Sequence, residues 1–222
     1  MEFIPANESR WFINIFKWYT WLLFKRRFSR VWIRQHYSPC SACKTIYYLN
    51  HHSWWDGLIP LLLNEFRFNQ QARALMEDRQ MEQYSFFRKI GAFSINRDDP
   101  RRAITFLRYA VQSMQRHNAC LFIYPEGEIR SPHTDPQFQG GLAWIYSKLE
   151  KSEVDIVPIA IHMHTIRHDK PELHLLVDKS VDLSGNLSNE EQTSILQDQL
   201  ANALNRLRRD AGFDDSNFER FL

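Results

Sequence analysis

Short apolar runs alternate with stretches of helical period along most of this chain. The run TIYYL at Thr45–Leu49 predicts a strand, and further strands are predicted at Ala72–Met76, Ala92–Ile95, Ala119–Tyr124, Asp155–Ile161 and Glu172–Val177. Between them, Ala103, Ile104, Leu107, Ala110, Val111 and Met114 recur with a 3.6-residue period and lead directly into the strand ACLFIY. Ser188 with Glu191 three residues on forms a capping-box pattern that opens a last helix. Ile195, Leu196, Leu200, Leu204 and Leu207 supply its apolar face, and Arg208 and Arg209 sit where cations suit the helix dipole. This alternation predicts an α/β fold, a mainly β-sheet core flanked by helices. No linker rich in Pro, Gly or Ser interrupts residues 41–222, which are expected to form one domain, with residues 1–40 as an appended segment.

That segment has a different pattern. Trp11 to Phe24 reads WFINIFKWYTWLLF, with Lys17 as its one charge, and KRRFSRVWIR follows with five basic residues. A membrane-spanning helix needs about 20 apolar residues, and a secretory signal places its charges before the apolar stretch. Neither pattern is present. Trp11, Trp18, Trp21, Trp32 and Tyr19 have the amphipathic rings favoured at headgroup depth, and the adjacent Lys and Arg residues suit an anionic surface. The reading is a helical segment lying in the membrane interface; the alternative is an amphipathic helix folded against its own domain.

Charge sharpens this picture. Residues 1–50 hold eight Lys/Arg against two Glu, +6, so that on a chain of net charge +2 the remainder is −4. A net charge this small does not indicate nucleic acid as a partner, but the basic end fits a membrane surface. With 44% hydrophobic residues and only seven glycines in 222, disordered, collagen-like and repeat architectures are excluded. Three cysteines cannot all pair, which fits a reducing compartment and the cytoplasmic face better than a disulfide scaffold. Cys40 and Cys43 form a lone C-x-x-C with no second pair for zinc, and His162, His164 and His168 read as strand-end histidines rather than metal ligands.

The chemistry concentrates after the first predicted strand, in Asn50-His51-His52-Ser53-Trp54-Trp55-Asp56. Strand ends are where α/β folds place their sites. His51 and Asp56 would lie about 140° apart on a continuous helix and would not meet. Ser53 to Asp56 is itself a capping-box pattern, however, which starts a helix at Ser53 and leaves His51 free to fold back over its N-terminus. Asp56 would then fix the tautomer of His51 and leave the other ring nitrogen as a general base. The alternative is that Asp56 only caps the helix. Arg97 ends GAFSINR, and Glu126, Gly127 and Arg130 lie in YPEGEIRS after the most apolar strand. Arginine forks bind phosphate, so these loops are candidates for holding a phosphorylated substrate.

Taken together these blocks resemble the glycerolipid acyltransferases, the family of bacterial 1-acylglycerol-3-phosphate acyltransferases and their lysophospholipid-acylating relatives. NHHSWWD matches the Asn-His-x-Ser-x-x-Asp block, GAFSINR the second motif, YPEGEIRS the third, and IVPIAI at Ile156–Ile161 the fourth, in order across residues 50–161. The resemblance implies a membrane-associated, acyl-thioester-dependent O-acyltransferase without metal or bound cofactor. His51 and Asp56 would be its catalytic dyad, and Arg97, Glu126, Gly127 and Arg130 would bind the acceptor. The fourth block would support the acyl-binding side. It further implies acyl-CoA or acyl carrier protein as donor and a lysolipid as acceptor, with 1-acylglycerol-3-phosphate first and another lysophospholipid, an aminolipid or a glycosylated lipid as the alternative. A catalytically silent membrane-binding protein is the rival from another class. The third motif departs from its usual form: two residues, Glu128 and Ile129, separate Gly127 from Arg130 instead of one, and the added carboxylate disfavours a phosphate dianion.

Overall fold

The structure, a computed structural model, describes residues 3–40, 42–95 and 100–222. Helix α1 (Arg10–Arg27) is followed by strands β1 (Arg30–Gln35) and β2 (Lys44–Leu49), helix α2 (Ile59–Leu63), β3 (Gln71–Glu77), α3 (Asp78–Gln83), β4 (Ala92–Ile95), α4 (Pro100–Ser113) and β5 (Ala119–Ile123). Then come α5 (Gly141–Ser147), β6 (Val154–His164), β7 (Glu172–Val177), α6 (Asn189–Asp210) and β8 (Glu219–Arg220). The strands form one mixed sheet in the order β4-β3-β5-β2-β6-β7-β1-β8. From β4 to β6 neighbours run parallel, β7 turns antiparallel to β6, β1 is parallel to β7, and β8 is antiparallel to β1.

The six strands predicted from sequence are β2 to β7. Their alternation builds a core on both sheet faces. On β2, Tyr47 and Leu49 pack with Phe24, Leu62 and Phe122 on one side, while Ile46 and Tyr48 join Ile145, Leu200 and Leu204 on the other. Helix α6 starts at its predicted box, with Glu191 N donating to Ser188 Oγ and Ser188 N donating to the Glu191 carboxylate. The chain leaves β2 one way, towards β3, and returns from β5 to β6 across it, so the strand order reverses at β2. The carboxyl end of that strand is where such sheets bind ligands.

The first 40 residues do more than append a segment. Strand β1 lies inside them and hydrogen-bonds to β7 along its full length. Its buried Val31 and Ile33 alternate with less buried neighbours, a strand period that was concealed in the sequence by the flanking basic residues. Helix α1 is capped by Ser9 and ends on Lys25, Arg26 and Arg27, and it buries Ile13, Thr20 and Phe24 against the domain. Trp11, Ile15, Trp18, Tyr19 and Leu22 remain 48% to 72% exposed. The helix is thus folded against its own domain by one face and leaves an aromatic face uncovered. No helix among the described residues is long and apolar enough to cross a membrane. Cys40 and Cys43, a lone C-x-x-C in the sequence, are joined as a disulfide with Cα atoms 5.1 Å apart. A separation of three residues in a turn already brings two Cα atoms within bridging distance. Cys120 is free and buried.

Candidate active site

Asn50, fully buried at the end of β2, fastens the next loop to β6. Its Oδ1 accepts from Ile161 N at 2.7 Å and its Nδ2 donates to Ile161 O at 2.9 Å. The same Nδ2 reaches His52 Nδ1 at 3.1 Å, so that nitrogen is an acceptor and the His52 ring is neutral. Burial agrees, pushing the His52 pKa down to about 4.

With Asn50 and His52 fixed, the chain turns at Ser53 as its capping box requires. Ser53 N donates to Asp56 Oδ2 at 2.8 Å and Ser53 Oγ to Asp56 Oδ1 at 2.8 Å. One helical turn follows at Trp54–Leu58 and continues into α2, whose second residue is Pro60, a position where a missing N–H costs nothing. Asp56 is fully buried beneath this turn, and its Oδ2 also accepts from His52 N at 2.7 Å and lies 3.2 Å from His51 Nδ1. A carboxylate only accepts, so Nδ1 carries the hydrogen and Nε2 keeps its lone pair. No partner among the described residues takes Nε2, and His51 lines a cavity of about 1250 Å³.

The predicted loop after β5 closes over His51 from the other side. Glu126 Oε2 accepts from His51 N at 3.0 Å, and Arg130 N donates to His51 O at 2.8 Å, so the backbone of His51 is held at both ends. Burial raises the pKa of Glu126, opposed by its bond from His51 N and by the Arg130 charge. Gly127, at φ +73°, lets its N–H return to Tyr124 O at 2.9 Å and makes the turn that a side chain would strain. The Arg130 guanidinium sits 2.9 Å from the Glu128 carboxylate and 3.2 Å from Gln137 Oε1, with Glu126 4.0 Å away. Arg97 lies outside the described residues. The structure thus gathers His51, Asp56, Glu126, Gly127 and Arg130 at one sheet end.

Two contributors were not singled out by sequence. Tyr124 stacks on His51 with ring centroids 4.5 Å apart and donates its hydroxyl to Asp56 O at 2.6 Å, clamping the turn that carries the carboxylate. Its place just before Pro125-Glu126-Gly127 was the available signal. Asn50 was visible only as the first letter of its block.

The strand-end histidines form a row instead of a convergent set. His162, His164 and His174 stand 5.9 and 5.0 Å apart between ring centroids, and His174 Nε2 is 3.1 Å from Asp215. No group of three His, Cys, Asp or Glu among the described residues is placed to hold a metal ion. Burial outweighs Asp215 and pushes His174 down to about 4, and His162 likewise. An unfolded chain binds these protons near pH 6.5, so folded-state stability is full above that pH and falls as the pH drops towards 4. For fully buried His174 the loss is about 3 kcal/mol. A His174→Gln variant should show a flatter urea midpoint between pH 7 and 4 than the wild type, and parallel curves would contradict this.

The Acyltransferase family model matches residues 34–162. Among solved structures, the chain is similar to the 1-acyl-sn-glycerophosphate acyltransferase PlsC from Thermotoga maritima, at 19% identity and a TM-score of 0.60, over 90% of this chain and 80% of that one. At this identity the likeness is one of fold. No curated protein matches the chain.

Proposed function

The chain belongs to the acyltransferase family, and we propose that it moves a fatty acyl group from acyl-CoA or acyl carrier protein to the hydroxyl of a lysolipid, 1-acylglycerol-3-phosphate first, at the cytoplasmic face of a membrane. The observation that carries this reading is the His51 imidazole, with Nδ1 on buried Asp56 and Nε2 open to a large, mainly apolar-walled cavity. His51 Nε2 takes the acceptor's hydroxyl proton as the oxygen attacks the thioester carbonyl carbon. Asp56 stabilises the imidazolium that results. The carbon–sulfur bond then breaks, and the imidazolium returns the proton to the leaving thiolate. Glu126 acts as a positioning residue through the His51 backbone. Trp54 and Ile129, both exposed, border the same cavity and suit a substrate delivered from lipid.

The Glu128 carboxylate beside Arg130 favours a second reading, in which the acceptor carries no phosphomonoester. The experiment is acyl transfer from a labelled thioester to a panel of lysophosphatidate, lysophospholipids and glycolipids. If lysophosphatidate is the acceptor, Arg130→Met should lower kcat/KM for it by about 10- to 100-fold, the worth of one charge-assisted contact. Turnover restricted to uncharged acceptors, or the same small loss for every acceptor, would assign the phosphate elsewhere and make the Glu128-Ile129 turn the specificity element.

A further inference from the structure

The loop that closes over His51 has little core of its own. Residues 131–135, between Arg130 and α5, are exposed throughout, and the bonds of Thr134 N and Oγ1 to Ser131 O and of His133 N to Ser131 Oγ only shape a turn. A segment with so little apolar burial opens locally unless something outside it holds it. The holder is α6, which lies beyond the matched residues 34–162. Arg208 Nη2 donates to Pro132 O at 2.5 Å and lies 3.5 Å from Thr134 O, and Gln197 Oε1 accepts from Phe138 N at 2.9 Å. Gln197 and Arg208 stand about three turns apart and within about 20° of one another around the helix, so both leave the same stripe. Their base is firm. Leu204 and Leu207 beside Arg208 are fully buried, and Asp210 pairs with Arg34 of β1 at 2.8 Å. Burial lowers the Arg208 pKa and Asp135, in the loop, opposes the lowering, so charge adds to the attraction.

Resting on the reading of residues 126–130 as the turn that holds the acceptor, we propose that Arg208, with Gln197, is a positioning residue for acceptor binding. The dyad does not depend on this hold. His51 and Asp56 are set by bonds within residues 50–56 and by Glu126, at the near end of the loop. Arg130 is placed differently. Its N–H is fixed to His51 O, and the next bond that leaves the loop is the one Pro132 O accepts from Arg208. Its guanidinium meets Glu126, Glu128 and Gln137, which all belong to the same loop, so the position of the loop decides where that guanidinium points. A side chain that aims another without touching substrate acts on the precision of the site, and here it acts on the acceptor's side alone. Loss of Arg208 therefore weakens acceptor binding and spares both the thioester and the proton transfer at His51 Nε2.

The test compares full-chain wild type, Arg208→Met, Arg208→Lys and Gln197→Leu with lysophosphatidate, or with whichever lipid of the panel is the best acceptor. Steady-state transfer gives kcat and the KM of each substrate, and equilibrium binding of the radiolabelled lysolipid gives its Kd without turnover. Arg208→Met should raise the acceptor KM and Kd about tenfold, the low end for loss of a hydrogen bond from a charged group. The thioester KM and kcat should change less than about threefold, the pattern of lost uniform binding. One nitrogen faces both carbonyls, so an ammonium can stand in for it, and Arg208→Lys should return both acceptor constants to within about threefold of wild type. Gln197→Leu removes a neutral partner and should raise them about three- to fivefold; it serves should Arg208→Met fail to fold. Unchanged acceptor constants in Arg208→Met and Gln197→Leu, equal weakening by Met and Lys, or a fall in kcat at constant KM overturns the positioning role. Binding that weakens as expected without transfer from any thioester overturns the acyl-transfer reading and leaves the positioning role standing. Wild type that neither binds nor acylates any lipid of the panel overturns both.

Discussion

Replacing His51 by alanine is expected to lower acyl transfer by about 10³- to 10⁴-fold, the upper part of the range for loss of a positioned general base. The adjacent His52 does not replace it, because its Nδ1 lone pair is committed to Asn50 and its Nε2 carries the hydrogen. The fold should survive the change. Among the described residues the His51 ring hydrogen-bonds to Asp56, and the bonds to Glu126 and from Arg130 belong to its backbone, which alanine keeps. Melting temperature should therefore stay within a few degrees of wild type while kcat collapses. Asp56→Asn gives a graded second point. An amide oxygen in the Oδ2 position can still accept from His52 N, Ser53 N and His51 Nδ1, so the tautomer is kept and only the charge opposite the imidazolium is lost. That variant should lose about 10²- to 10³-fold. Transfer by His51→Ala within tenfold of wild type would remove the dyad from the mechanism.

Parts of this site were legible because the forces that shape them are local. The capping box from Ser53 to Asp56 spans four residues, and it alone dictates that His51 leaves the helix and Asp56 turns back under it. The six central strands were legible for a similar reason, since each carries its own apolar run. What escaped depends on distant partners. Asn50 matters through Ile161, 111 residues away, and Tyr124 through Asp56, 68 residues away. Strand β8 is two residues long and exists only as a partner of β1, so it has no pattern of its own. Glu8 reads as an ordinary surface acid until Arg73 and Arg116 are brought against it. The extra carboxylate of the third motif was visible in sequence, but its placement 2.9 Å from Arg130 was not.

Substituting the outward face of α1 is expected to release the protein from anionic vesicles while leaving its fold intact. At 100° per residue, Trp11, Ile15, Trp18, Tyr19 and Leu22 fall within about 100° of arc, and buried Ile13, Thr20 and Phe24 lie opposite. The helix is thus docked by one stripe and leaves another uncovered. Lys25 and Arg26 are exposed at the margins of the uncovered stripe and make no salt bridge among the described residues, and each basic group near an anionic surface adds about 1 kcal/mol. Burying an aromatic or leucine side chain contributes about 1.5 to 3 kcal/mol when it was fully exposed beforehand. Trp11, Trp18 and Leu22 are roughly half exposed or more, so changing all three to serine should cost about 4 kcal/mol, close to a thousandfold in vesicle partitioning. Deleting residues 1–38 would be a poorer test, because it removes β1 and the backbone bonds of Ile4, Asn7 and Ser9 to Ser94, Arg88 and Lys89 along with the helix face. The basic contribution has its own signature: raising salt should weaken binding of the wild type and of the triple variant by similar factors, since the Debye length shortens without touching the aromatic stripe. Retention of the folded triple variant on vesicles at wild-type strength would show that α1 does not carry the membrane contact.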